Sequence, residues 1–188
     1  MRGFTLLEIV ITMGIVSVIG VLLLVIVINS VGVFYKQSSK VTEGLNINDA
    51  LSQIRENIKQ SNSIIASYTS GGTTYTSGIT QLVFKVPSID SSNNIVSNTY
   101  DFFVFSLDQN ILRFKIFPDA ASSRKAQDRI FSTSVDNLKF QYLNLAAPPV
   151  EVTPTAGLKV RTTLTLRQKN GLNYETNTAT SEANLRNM

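Results

Sequence analysis

Glu8 is the residue whose type and position most restrict what this chain can do. Its carboxylate stands at the head of an apolar run from Ile9 to Ile28, and no further charge follows until Lys36. A helix over that run is about 30 Å long, the thickness of a bilayer's hydrocarbon core. An ionised carboxylate there costs roughly 2.5 to 3.5 kcal/mol or more and persists only with a partner or a task. Glu8 needs a cation, and its own helix supplies none.

Little else in the chain could act as a catalyst. With no Cys and no His, it has no thiolate, no imidazole base, no disulfide and none of the usual zinc ligands. Asp90, Asp101, Asp108, Asp119 and Asp136 are dispersed and lack EF-hand spacing, so they define no calcium site. Ser123-Arg124-Lys125 with Arg129, in a loop expected from Pro118 to Arg129, groups three cations. Asp119 and Asp128 stand among them, and no aromatic residue interleaves for base stacking. The net charge of +4, from 17 Lys and Arg against 13 Asp and Glu, is scattered and argues against a nucleic-acid surface. The chain is therefore read as non-enzymatic, with no catalytic residue, metal or cofactor expected.

The elements that carry Glu8 follow from spacing. The length of 188 residues accommodates one span plus one domain of about 150 residues. After the span, Val41, Leu45, Leu51, Ile54, Ile58 and Ile65 recur mostly three, four or seven apart among charged residues, which predicts an amphipathic helix to about Ile65. With no proline before Pro87, one long helix from membrane into domain is expected.

Tyr68 to Gly78 reads as a Ser, Thr and Gly loop, and strands follow. Gln81 to Val86 alternates and is closed by Pro87; Tyr100 to Leu107 and Ile111 to Phe117 flank Asp108-Gln109-Asn110 as a hairpin. Leu138 to Tyr142 and Leu158 to Arg167 give two more strands, and Asn170-Gly171 turns the chain into a Thr-rich segment, Tyr174 to Leu185. Asn144 to Gly157, with Pro148, Pro149 and Pro154, predicts an extended exposed loop. The expected fold class is α+β: a long N-terminal α-helix packed against an antiparallel sheet of five or six strands.

Gly3-Phe4-Thr5-Leu6-Leu7-Glu8 running into the apolar segment resembles the processing motif of the type IV pilin and type II secretion pseudopilin family. The resemblance covers about the first 30 residues. It implies cleavage between Gly3 and Phe4 by a membrane prepilin peptidase, N-methylation of Phe4, and a subunit-assembly role for Glu8, whose charge the freed Phe4 amine of a neighbour would neutralise. It also implies the divisions 1–3 as leader, 4–28 as membrane and filament-core helix, 29–66 as amphipathic helix and 67–188 as a β-rich domain. A secretory signal peptide does not fit, because the apolar run exceeds a 7 to 15 residue core and lacks an A-x-A site. A plain signal anchor fits the span but leaves the hexapeptide unexplained.

Further expectations rest on the same resemblance. The chain would be a single-pass inner-membrane protein with its N-terminus inside and its domain outside, moving from membrane lipid into a filament. Its partners would be other pilin or pseudopilin subunits, the prepilin peptidase and the inner-membrane assembly platform. Arg2 on one side and Lys36 and Lys40 on the other leave orientation to the motif. Val135 to Tyr142 and the ending Ala183 to Asn187 are similar to the larger minor pseudopilins, the J type especially. A pilus, a secretion pseudopilus and a DNA-uptake filament all remain open, as does an adhesin-like head on a pilin stem; an envelope hydrolase would need a base or metal that the sequence does not offer.

Overall fold

In a computed structural model, residues 5–42, 47–170 and 173–186 are described, with backbone alone for 32–42, 168–170 and 173. Helix α1, Leu6–Thr42, has 37 residues and is apolar around its whole circumference, so no face of it selects a soluble core. Its stretch Leu6–Val31 is long and apolar enough to cross a membrane, and none of it is buried in the chain. The polar side chains within it are satisfied locally: the Thr12 hydroxyl donates to the Glu8 and Ile9 carbonyls at 2.8 and 2.9 Å, and Ser17 donates to the Met13 carbonyl at 2.8 Å. The helix is continuous through residues 28 and 29; the expected join of the span's helix to the amphipathic one falls on residues 43–46, outside the described residues.

Helix α2, Ile47–Lys59, places Asp49 in its first turn and Lys59 in its last, matching the helix dipole, and buries Ala50, Leu51, Ile54 and Ile58 on one face. The stripe expected from spacing is thus real at Leu51, Ile54 and Ile58, while Val41 and Leu45 lie where side chains are not described. The helix stops six residues short of Ile65. Ser61 closes it, with its N–H and hydroxyl both donating to the Ile58 carbonyl at 2.9 and 2.6 Å. The next backbone donors then leave for a strand: Asn62 N–H reaches the Lys85 carbonyl at 2.8 Å and Ile65 N–H the Val83 carbonyl at 3.1 Å.

Among the described residues ten strands follow in three antiparallel sheets, instead of five or six in one. They are β1 (Ser63–Ile64), β2 (Ser67–Ser70), β3 (Thr73–Thr76), β4 (Gln81–Ile89), β5 (Ile95–Asp108), β6 (Ile111–Phe117), β7 (Gln127–Ser132), β8 (Val135–Leu143), β9 (Lys159–Asn170) and β10 (Asn173–Asn184). The largest sheet runs β1-β4-β5-β6-β7, the second β10-β9-β8, and β2-β3 is a hairpin by itself. Alternation puts Leu82, Phe84, Phe103, Phe105, Leu112, Phe114 and Phe131 on the core side of the large sheet. Rings pack there pairwise, as in Phe105 on Phe114 at 4.6 Å and Phe103 edge-on to Phe114 at 5.5 Å. Leu138, Phe140, Val160, Leu164, Leu166 and Ala183 of the second sheet, together with the α2 face, complete one core. The sheets are stitched at their edges: Phe140 N–H donates to the Ile79 carbonyl at 2.7 Å, and the Tyr142 hydroxyl to the Gly78 carbonyl at 2.8 Å.

The expected loop at Tyr68 to Gly78 is in fact the β2-β3 hairpin. Gly71 and Gly72 both take positive φ, 55° and 78°, which a two-residue turn between Ser70 and Thr73 requires. Tyr68 stacks on Phe102 at 4.1 Å and Tyr75 lies 5.3 Å from Phe117, so the hairpin covers apolar surface on the outer side of the large sheet. Strand β4 also passes through Pro87. This is tolerated because β1 pairs only with Phe84 and Lys85, leaving Pro87 on an open edge where no N–H is needed.

Candidate assembly site at the head of the apolar helix

Glu8 sits at the third position of α1, and Thr5 precedes the first turn. The Thr5 N–H and hydroxyl both donate to Glu8 Oε2, at 2.9 and 3.1 Å, and the Glu8 N–H donates back to Thr5 Oγ1 at 3.3 Å. This is a reciprocal capping box, which satisfies two donors that a helix start otherwise leaves orphaned. The Thr5 donors, which sequence reasoning did not single out, bind the Glu8 carboxylate without supplying the cation that it needs. The sequence signal was present as Thr5-x-x-Glu8 before an apolar run. Both donors converge on Oε2, and no described residue donates to Oε1. Hydrogen bonds do not remove the negative charge, which also lies favourably at the positive end of the helix dipole. Gly3 and Phe4, the expected cleavage and methylation positions, lie outside the described residues.

The candidate span is a surface with no cover among the described residues. Leu6, Leu7, Val10, Met13 and Val16 are all more than half exposed. An exposed apolar surface of this extent marks a membrane or protein interaction surface. Among the described residues no group of His, Cys, Asp or Glu could hold a metal ion.

The cations of the loop after Pro118 do not form a patch. That loop ends earlier than expected, because β7 begins at Gln127 and takes Arg129 into the sheet. Arg129 stacks over the Phe131 ring at 5.8 Å, and Arg124 turns inward to Asp101. Asp101 is the residue that reading by spacing missed: it occupies the core-facing register shared with Phe103 and Phe105 and is completely buried. Its Oδ1 accepts from Ser88 Oγ at 2.8 Å and Asp119 N–H at 2.9 Å; its Oδ2 accepts from Ser122 Oγ at 2.8 Å and Arg124 at 2.5 Å. Arg124 also reaches the Pro87 carbonyl at 2.6 Å. A carboxylate at a core position, two and four residues before phenylalanines, is the signal that could have found this clamp.

Burial alone would raise the Asp101 pKa, but the Asp119 N–H, Arg124, Ser88 and Ser122 together hold it below the ordinary 3.8. A lowered folded pKa means the stabilisation is complete above that ordinary value and is lost as pH falls through the folded one. Asp101→Ala leaves Arg124 half-buried and unpaired, and should cost about 3 to 5 kcal/mol and lower the melting temperature by roughly 10 °C or more. The deficit should shrink as the pH is brought below 3.8, because the parent then loses the same interaction. A constant difference from pH 7 to pH 2, measured by thermal melts, would mean the carboxylate charge contributes nothing.

No protein-family model, no curated protein and no solved structure matches this chain.

Proposed function

We propose that the chain is a minor pilin or pseudopilin: a structural subunit processed between Gly3 and Phe4, N-methylated on Phe4, and assembled through its apolar helix into an extracytoplasmic filament. The observation that carries this reading is α1 itself, an apolar span with no burial in its own chain and a single carboxylate, Glu8, in its first turn. The capping box supports it further, because it fixes the carboxylate at the helix head while one oxygen takes no donor from the described residues. On this reading the freed Phe4 amine of a neighbouring subunit is the cation that neutralises it. The pilin-like arrangement, a long helix leading into an amphipathic helix packed on an antiparallel sheet, belongs to this proposal, as do the N-inside orientation and the family of partners.

Processing is the first test. Coexpression with a prepilin peptidase should give a chain starting at Phe4 and heavier by one methyl group than the cut sequence. Intact-protein and N-terminal mass spectrometry read this directly. Met1-Arg2-Gly3 still attached in cells with active peptidase would overturn the proposal.

A further inference from the structure

Strand β10 is a long open sheet edge. It pairs with β9 from Asn173 to Asn184 without a register shift, and among the described residues no backbone hydrogen bond joins these 12 residues to any other strand. In an antiparallel pair, every second residue of such an edge turns its N–H and C=O away from the partner. Those groups are a template for a further strand unless the edge is blunted.

The other edges of the two larger sheets are blunted. Strand β1 has 2 residues, and β4 beside it carries Pro87 and a register shift. Strand β7 has 6 residues, with Asp128, Arg129 and a register shift. Strand β8 is shifted between Val135 and Asn137, and Ile79 and Val152 take part of its edge. Strand β10 has no proline, lysine or arginine and no shift. The undescribed stretches of this sequence are at most four residues long and reach about 14 Å when fully extended. The edge rises about 37 Å, so none of them covers it.

Helix α2 flanks this edge and leaves a groove of about 240 Å³, lined by Asn48, Leu51, Ser52, Arg55, Thr180 and Ser181. No β9 residue lines it, and Thr180 and Ser181 face opposite sides of the sheet, so the groove lies along the open edge. The Ser52 and Ser181 hydroxyls, both half-buried, make no hydrogen bond among the described residues. Arg55 is the one charge in the lining. Its Nε meets Glu56 at 3.4 Å, and Glu56 lies closer to Lys59, at 3.0 Å. The terminal nitrogens of Arg55 are left for a second carboxylate, which a guanidinium takes with two parallel hydrogen bonds.

We propose that β10 and α2 form a strand-acceptor site: an extended segment of another protein adds to the β10 edge through backbone hydrogen bonds and sets an acidic side chain on Arg55. The edge holds an extended backbone, and Arg55 selects an acidic one. This uses neither the membrane span nor the filament reading, so it stands or falls apart from them.

The probe is a short fluorescein-labelled peptide of alternating Thr and Val with one central Glu, titrated with the full-length protein in detergent and read by anisotropy. It should bind, and binding should protect the amides of residues 173–184 from hydrogen exchange. N-methylation of the peptide amides should abolish both effects. Arg55→Gln should weaken the Glu peptide about threefold, the scale of one exposed ion pair, and leave a peptide with Gln in place of that Glu unchanged. No binding at millimolar peptide, binding that survives N-methylation, or an unchanged affinity in Arg55→Gln would overturn the proposal. So would protection of 173–184 that grows with protein concentration in the absence of peptide, which would put a second copy of this chain on the edge.

Discussion

Ile54→Asp should abolish the cooperative thermal unfolding of the domain in the full-length protein held in detergent. Ile54 is completely buried on the α2 face that meets β9 and β10. Removing it forfeits about 1.5 to 3 kcal/mol of apolar burial. Placing an unpaired carboxylate there adds several kcal/mol, against a total stability of roughly 5 to 15 kcal/mol for a domain. Glu56, two residues on, is exposed and among the described residues pairs with Lys59 and Arg55. Glu56→Ala should leave the transition unchanged. A folded Ile54→Asp protein, with near-ultraviolet circular dichroism and melting like the parent, would mean that α2 is not a core helix.

That helix was legible in the sequence because Leu51, Ile54 and Ile58 follow its period and nothing else there competes. Its C-terminal end was not, because Ile64 and Ile65 extend the apolar pattern while their backbone groups are taken by β4, a pairing that local spacing does not report. The hairpin of β5 and β6 around Gln109-Asn110 was legible for the opposite reason: two clean period-2 runs flank turn chemistry. Strands β2 and β3 were hidden by composition. Ser and Thr carry little apolar signal, and Tyr68 and Tyr75 gain their burial from Phe102 and Phe117, which are distant in sequence. Strand β7 hid behind its charges, since Asp128 pairs with Arg113 and Lys115 across the outer face at 3.2 and 3.4 Å.

The candidate site divides along the same line. Glu8 stood out because its charge is alone in an apolar run, a property of the sequence itself. Its cap by Thr5 was equally local and readable from spacing. The Asp101 clamp was not readable in full, because it joins Asp101 to Ser88 and to Asp119, Ser122 and Arg124, from two other stretches of chain that only the fold brings together.

The capping box sharpens the question of what Glu8 is for, since a helix cap and a docking charge predict different mutants. Glu8→Gln keeps an oxygen able to accept from Thr5 and removes only the charge. Thr5→Ala keeps the charge and removes the hydroxyl, at the cost of about 1 kcal/mol typical of a lost cap. If Glu8 only caps α1, Glu8→Gln should assemble like the parent and Thr5→Ala should be the weaker of the two. If Glu8 pairs with the Phe4 amine of a neighbour, neutralising it leaves that amine unpaired in an apolar setting, at roughly 3 to 5 kcal/mol per pair. A fraction of that suffices, because about 1.4 kcal/mol is tenfold in an equilibrium.

The decisive measurement is the amount of Glu8→Gln protein recovered in sheared filaments, divided by the amount cleaved at Gly3. The docking account predicts a fall of tenfold or more while cleavage and membrane insertion persist and Thr5→Ala stays close to the parent. Glu8→Gln protein that is cleaved and assembles at the parent's level would contradict it.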